Sequence, residues 1–211
     1  MKLEELFAKC EIAVATEELM NNIEPFSCGE KYEEDRDLTD FFLNDSKVFG
    51  ENLLGKTYVL MLKDDSNVRR KVVTFFTLSN DSIRITREFN EDNKKTFLEY
   101  TGLDGKSLKR FPCVLLGRLG TDKDFQRQGY GSAIMDFIKL MFVTDNKTGC
   151  RFIIVDALNR EDTLDYYDRN GFKYLISDEE KEAKYMNISK NSLPLRTRLM
   201  YFDLLTLNAG K

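Results

Sequence analysis

Two glycines in a polar stretch could form a binding site for an anion. The stretch is QRQGYG, Gln126–Gly131, between an apolar run and a segment with helical periodicity. In this order the loop N–H groups and the positive end of the helix dipole meet, and glycine lets the backbone approach a phosphate closely. The side chains of Gln126, Arg127 and Gln128 would add donors. A simple turn into a helix is the alternative, and the sequence lacks both the GxGxxG and the GK[ST] phosphate motifs.

The apolar pattern around this loop predicts a mixed α/β fold. FPCVLLGRLG and RFIIVDAL are typical of strands covered on both faces, and KTYVLMLKD and KVVTFFTLS predict an antiparallel pair. Between Tyr130 and Phe142 apolar residues recur every three or four positions, which predicts a helix. DLTDFFLNDSKVFGENLL predicts another helix, with Asp37 as its N-cap. Strands followed by helices indicate a sheet with helices on its faces.

Composition limits the function classes. The chain has 211 residues, of which 42% are hydrophobic and 32% charged, a balance typical of a soluble globular protein. It has no histidine, and its cysteines are scattered, so we expect neither a metal site nor a disulfide scaffold. No apolar run is long enough for a signal peptide or a membrane span, so we expect a cytoplasmic protein without a membrane partner.

The charge of the chain is unevenly distributed. Residues 28–52 carry eight acidic and three basic side chains, a local net charge of -5 that suits a cation. Residues 105–127 carry two acidic and six basic side chains, a local net charge of +4 that suits an anion; the basic residues are Lys106, Lys109, Arg110, Arg118, Lys123 and Arg127.

Two motifs resemble those of the GNAT superfamily of acetyl-CoA-dependent N-acyltransferases. Gln126, Gly129 and Gly131 fill the pattern [QR]xxGx[GA] that follows a core strand in motif A. Downstream, VDALNREDTLDYYDRNGFKYL is similar to motif B, whose YxxxGF is filled by Tyr167 and the pair Gly171–Phe172. PFSCGEKYEEDRDLTDFFLNDS and LLGRLGTD also resemble a subgroup related to bacterial toxins that acetylate aminoacyl-tRNA, although residues are inserted in the first of these.

The resemblance implies a fold and a cofactor. The fold is a mixed, mostly antiparallel sheet that splays between strands 4 and 5, with acetyl-CoA in the split and no metal. Residues 23–211 would form the acetyltransferase domain, after an N-terminal extension of residues 1–22. Backbone groups of Leu119, Gly120 and Thr121 would pair with the pantetheine arm. The pyrophosphate would lie on Gln126, Arg127, Gln128, Gly129, Tyr130, Gly131 and Ser132.

Two further side chains receive roles from the resemblance. Tyr167 matches the tyrosine that protonates the departing CoA thiolate, and a phenol with a pKa of ~10 can donate to a thiolate whose conjugate acid is near ~8.5. Core packing is the alternative for Tyr167. Asn159 would contact the cofactor arm or, equally well, cap the helix that follows. The absence of histidine leaves the general base unassigned.

The resemblance implies that the acceptor of the acetyl group is a primary amine. Because the segment expected to border the acceptor site is acidic, we expect a small or cationic amine rather than tRNA. Two alternatives stay open: toxin-like acetylation of aminoacyl-tRNA, and a non-catalytic module that binds acetyl-CoA. A homodimer also stays open.

Overall fold

The computed structural model describes residues 1–63, 69–89, 97, 108–144, 146 and 149–207. Seven strands in this part of the chain form one sheet in the order β1-β2-β3-β4-β5-β7-β6. They are β1 (Cys10–Val14), β2 (Lys56–Leu62), β3 (Val72–Arg84), β4 (Arg110–Thr121), β5 (Phe152–Leu158), β6 (Lys173–Tyr174) and β7 (Thr197–Asp203).

The helices lie between the strands in sequence. The α-helices are α1 (Leu3–Lys9), α2 (Glu17–Met20), α3 (Glu33–Asp40), α4 (Ser46–Glu51), α5 (Tyr130–Thr144), α6 (Glu161–Arg169) and α7 (Glu179–Tyr185). A π-helix, Phe41–Asp45, joins α3 to α4, and 3-10 turns cover Lys190–Ser192 and Leu204–Leu207. In the described ranges no helix is long and apolar enough to cross a membrane.

The sheet is mixed, as predicted. β1 pairs antiparallel with β2, and β2 with β3. β4 and β5 are parallel, with Cys113–Leu115 in register with Phe152–Ile154, and α5 is the crossover that such a pair needs. β7 pairs antiparallel with both β5 and β6. The predicted α/β class is therefore confirmed.

The chain divides into two compact units. The first contains Met1–Ser79 and Leu116–Met141, and the second contains Asn80–Leu115 and Phe142–Lys211. The boundary predicted after residue 22 stays a prediction, and β1, on its N-terminal side, is a strand of the sheet.

Aromatic side chains fill the core of the first unit. Phe42 stacks on Phe75 with ring centroids 4.5 Å apart, and Phe26 meets Phe42 edge-on at 4.8 Å. Phe7 of α1 contacts Phe137 of α5 edge-on at 5.4 Å. Because large aromatic rings bury much apolar area, these contacts hold the π-helix against β3 and α1 against α5.

The helix predicted from Asp37 begins earlier. α3 starts at Glu33, and the Asp35 carboxylate accepts a hydrogen bond from the Tyr32 N–H at 3.1 Å. Asp37 therefore lies inside the helix, and the prediction that it is the N-cap is wrong. A carboxylate in the first turn satisfies a backbone donor and interacts favourably with the helix dipole, and the N-cap lies at Tyr32, five residues upstream of the predicted one.

A buried ion pair connects α7 to β7 in the second unit. Glu182 is fully buried, and its carboxylate accepts hydrogen bonds from Arg198 Nε at 2.8 Å and from the Leu199 N–H at 2.5 Å. Arg198 also donates to the Ile176 and Ser177 carbonyls, at 3.1 and 3.0 Å. Burial raises the pKa of the Glu182 carboxyl, and these hydrogen bonds oppose that rise.

We expect Arg198→Met to destabilise the protein by about 3 kcal/mol, because it leaves the buried Glu182 charge without its partner. Urea unfolding at pH 7 measures the loss. Since protonation removes the charge, and burial already raises the Glu182 pKa, the loss should shrink as the pH is lowered.

The matched control is Lys190→Met, which removes one ion pair with Glu180 whose side chains are 55% and 61% exposed. The urea midpoint of this variant should equal that of the wild type. An Arg198→Met midpoint that also equals the wild type would show that the buried pair contributes nothing to stability.

Candidate functional site

The end of β4 carries the three residues predicted to pair with a cofactor arm. A Cβ atom on Gly120 would lie 2.5 Å from Phe75 Cε1 and 2.7 Å from Cys28 Sγ, so only glycine fits there. Leu119 and Thr121 on either side are half-buried, and the Thr121 and Thr74 hydroxyls are 3.2 Å apart. This part of β4 is thus held tightly in the first unit.

Asp122 fixes the loop that follows β4. Its carboxylate is 2% exposed, and accepts hydrogen bonds from the Ser27 N–H at 3.2 Å and the Asp124 N–H at 3.1 Å. Lys71 Nζ lies 3.6 Å from the same carboxylate. Because a buried charge is costly without such partners, the loop conformation that supplies them is strongly favoured. The sequence interpretation missed this residue, since its partners are remote in the chain.

The two glutamines of the loop use their side chains within the protein. Gln126 Nε2 donates to the Cys28 carbonyl at 2.7 Å and to the Thr121 carbonyl at 3.1 Å. Gln128 Nε2 donates to the Asp124 carbonyl at 2.7 Å. These amides therefore shape the loop, and their contact with a bound anion stays a prediction. Arg127 between them is exposed.

The backbone of the loop turns through left-handed conformations into α5. Arg127 has a φ of 58° and Gly129 a φ of 87°, and Gly129 would meet Met1 N at 3.2 Å if it carried a Cβ. The first helical hydrogen bond runs from the Ala133 N–H to the Gly129 carbonyl at 3.1 Å. The predicted strand, glycine loop and helix are thus present in the predicted order.

The residues that open α5 face different environments. Tyr130 is buried and contacts Phe125 edge-on, with ring centroids 5.6 Å apart. Gly131 is half-buried and Ser132 is exposed. The first helical turn therefore has a packed side at Tyr130 and an accessible side at Ser132, next to the positive end of the helix dipole.

Tyr167 lies in α6 of the second unit and is 9% exposed. Its ring contacts Phe172 at 5.4 Å and Tyr166 at 5.1 Å between centroids. Burial raises the pKa of the Tyr167 phenol, and the nearby Asp156 carboxylate raises it further. The hydroxyl is consequently protonated at neutral pH, which a proton donor requires.

Asn159 follows β5, and its side chain is already engaged. Its amide Nδ2 donates to Glu179 Oε1 at 2.7 Å and to the Leu195 carbonyl at 2.8 Å. The residue before α6 is Arg160, so the alternative of Asn159 as the helix N-cap is wrong. Its contact with a cofactor stays a prediction.

The thiols of the chain are poor nucleophiles. All four cysteines are buried. Burial raises the pKa of Cys28 and of Cys113 to about 12, and that of Cys150 to about 11. Among the described residues no group of three His, Cys, Asp or Glu side chains could hold a metal ion.

Comparison with known proteins gives a family match and a shared fold. Residues 90–174 match the acetyltransferase (GNAT) domain family. No curated protein matches the chain. A mutant of KacT is similar in structure, with a TM-score of 0.68 and 19% identity, over 96% of this chain and 99% of that one.

Two structures of AtaT are similar as well. AtaT complexed with acetyl-methionyl-tRNAfMet has a TM-score of 0.67 and 19% identity, over 95% of this chain and 98% of that one. A tyrosine-to-phenylalanine mutant of the AtaT toxin, bound to the C-terminus of the antitoxin AtaR and acetyl-CoA, has a TM-score of 0.60 and 18% identity, over 95% of this chain and 97% of that one.

These comparisons contradict the expected preference for a small or cationic amine over tRNA. The similar structures include a complex with an acetylated aminoacyl-tRNA and a complex with an antitoxin. The acidic charges on which that preference depended serve the protein itself: those of Glu33, Glu34 and Asp35 lie in the first turn of α3.

The motif resemblance is confirmed by the family match, and the predicted fold class by the sheet. The chain is therefore similar to GNAT acetyltransferases in the sequence of residues 90–174 and in its fold.

Proposed function

We propose that this protein transfers an acetyl group from acetyl-CoA to the α-amino group of an aminoacyl-tRNA. The observation that carries the proposal is the similarity, over 95% of the chain, to AtaT complexed with acetyl-methionyl-tRNAfMet. The GNAT domain supplies the reaction class, and the arrangement of the described residues supports the steps below.

The glycine loop is the proposed pyrophosphate site. It leads into α5, a helix of 15 residues, whose positive dipole end favours an anion. Backbone N–H groups of residues 126–132 would bind the phosphate oxygens, with Gln126 and Gln128 holding the loop in shape. The exposed Arg127 adds a positive charge. Backbone groups of Leu119–Thr121 would pair with the pantetheine arm.

Tyr167 is the proposed general acid. The neutral amine attacks the thioester carbonyl, a C–N bond forms, and the nitrogen loses a proton to water. The tetrahedral intermediate then expels the CoA thiolate as the C–S bond breaks. The Tyr167 hydroxyl gives its proton to that sulfur and recovers one from solvent. The raised pKa of this phenol keeps the donor proton in place throughout the neutral range.

Transfer is proposed to be direct, in a ternary complex. An acyl-enzyme would need an activated nucleophile such as a thiolate, whereas all four cysteines are buried and burial raises the pKa of each. An α-amine with a pKa of ~8 is also deprotonated more easily than a lysine amine at ~10.4. Loss of its proton to water therefore suffices without a histidine base.

Charged tRNA incubated with the protein and labelled acetyl-CoA should yield label that co-purifies with the RNA. The reason is that the α-amine at the 3′ end is the proposed nucleophile. Mild alkali, which cleaves the aminoacyl ester, should release the label as an N-acetylamino acid, and mass spectrometry identifies it.

The matched controls are the same tRNA without its amino acid and the same aminoacyl-tRNA with a formylated amine. Neither should accept label, because both lack a primary α-amine. Turnover with free amines in the absence of any labelled RNA would contradict the proposal.

Tyr167→Phe should lower kcat by about 100-fold or more, because the thiolate would leave without a proton donor. The variant keeps the ring that packs against Phe172. Acetyl-CoA affinity, measured by calorimetry, should therefore stay at the wild-type value.

Tyr166→Phe is the control, since it removes a neighbouring hydroxyl from the same helix. It should retain most of the activity. Equal kcat values for Tyr167→Phe and the wild type would contradict the acid role and leave Tyr167 as a packing residue.

A further inference from the structure

Arg118 is a half-buried cation on β4 without a carboxylate partner among the described residues. Its Nη1 donates to the Gly117 carbonyl at 2.9 Å, and its guanidinium carbon lies 5.0 Å from the centroid of the Phe41 ring. The Nε atom is buried and has no hydrogen-bond partner in the described part of the chain. Arg118, Gly117 and Phe41 all belong to the first unit.

Arg70 Nε is likewise buried without a hydrogen-bond partner, but each of the other described arginines with comparable burial has a carboxylate beside it. Arg151 binds Asp203 at 2.6 Å, Arg160 binds Asp162 at 2.5 Å, and Arg198 binds Glu182 at 2.8 Å. Arg70 pairs with Glu11. A guanidinium removed from water normally has an anion beside it, because the unpaired charge costs free energy. Arg118 thus lacks an anionic partner among the described residues, and a bound anion would supply one.

The position of Arg118 on β4 separates it from the pyrophosphate loop. It comes immediately before Leu119, whereas the loop begins at Gln126. A strand rises about 3.3 Å per residue, so the proposed pantetheine segment lies between the two. With the pantetheine arm paired to residues 119–121 as proposed, the thioester would lie next to Arg118, on the side that the acceptor amine must reach.

The surroundings of Arg118 favour a phosphate oxygen. Phe41 lies in the π-helix between α3 and α4, and π-helical turns often occur at functional sites. The guanidinium lies beside the Phe41 ring, and its one hydrogen bond to the described residues is the bond from Nη1 to the Gly117 carbonyl. A planar guanidinium matches the geometry of phosphate oxygens.

We infer that Arg118 binds a phosphodiester at the 3′ end of the acceptor RNA. The inference deepens the proposed function and rests on it for the identity of the acceptor. It assigns to Arg118 a contact with the substrate that is separate from the CoA phosphates.

The test uses Arg118→Met, which keeps the aliphatic contacts of the side chain and removes the charge. The probe is uncharged tRNA with an intact CCA end, titrated at several salt concentrations into full-length protein saturated with CoA. We expect about tenfold weaker binding and a salt slope smaller by about one, as for the loss of one phosphate contact. CoA affinity should not change.

Two further variants make the result specific. Arg118→Lys should restore part of the salt slope but less of the affinity, because an ammonium keeps the charge and loses the planar fork. Lys173→Met removes one exposed charge from β6 and should leave both quantities at the wild-type value. If Arg118→Met does not fold, the comparison of Arg118→Lys with the wild type decides the question.

Three results would overturn the inference: an unchanged salt slope, an equal loss of CoA affinity, or no binding of tRNA by the wild type. The transfer assay on charged tRNA separates this inference from the function. If the wild type transfers acetyl but Arg118→Met has the same salt slope of tRNA binding as the wild type, the inference is rejected and the proposed function is retained. Arg118-dependent binding without transfer rejects the function and retains the contact.

Discussion

A single buried carboxylate, that of Asp122, determines the shape of the glycine loop. It joins the end of β4 to the Ser27 N–H, to the Asp124 N–H and to the Lys71 ammonium. The Asp122 N–H donates in turn to the Val73 carbonyl at 2.9 Å. Loss of any of these groups would leave the buried Asp122 carboxylate without a partner, so the loop backbone has one favoured conformation. That conformation sets the position of the N-terminus of α5.

In the second unit, the surroundings of Tyr167 depend on a tight turn. Gly171 has a φ of 77°, and a Cβ there would lie 3.1 Å from Phe202 Cε2. The turn brings Phe172 against the Tyr167 ring. Tyrosine, glycine and phenylalanine of the motif are therefore linked by packing, and the burial that follows raises the pKa of the phenol. Burial, together with the Asp156 carboxylate, therefore keeps this phenol protonated at neutral pH.

Local patterns predicted the elements around the loop, and remote contacts explain what they missed. The apolar strands before and after the loop and the periodicity of α5 are properties of short segments, so β4, α5 and β5 could be predicted. The start of α3 depends on the Asp35 carboxylate, and the strand β1 depends on pairing with β2 some fifty residues away. Neither leaves a strong signal in its own segment.

The same distinction applies to the site. Gly129 could be predicted because its left-handed backbone requires glycine locally. Asp122 and Arg118 could not, since a carboxylate or a guanidinium in a sequence does not reveal whether it is buried or what lies beside it. The summed charge of residues 28–52 was a poor guide to the acceptor for a related reason. Several of these carboxylates lie in the first turn of a helix or form an ion pair within the protein.

The affinity of Asp122→Asn for CoA, measured by calorimetry, tests whether the loop that Asp122 fixes holds the pyrophosphate. The control is Asp124→Asn, because the Asp124 side chain is 59% exposed. An amide at position 122 places an N–H donor against a backbone N–H and removes the charge beside Lys71, so the loop loses its favoured conformation. If the loop holds the pyrophosphate, the Asp122→Asn protein should stay folded by circular dichroism and bind CoA at least about tenfold more weakly. Wild-type CoA affinity in that folded variant would contradict the account.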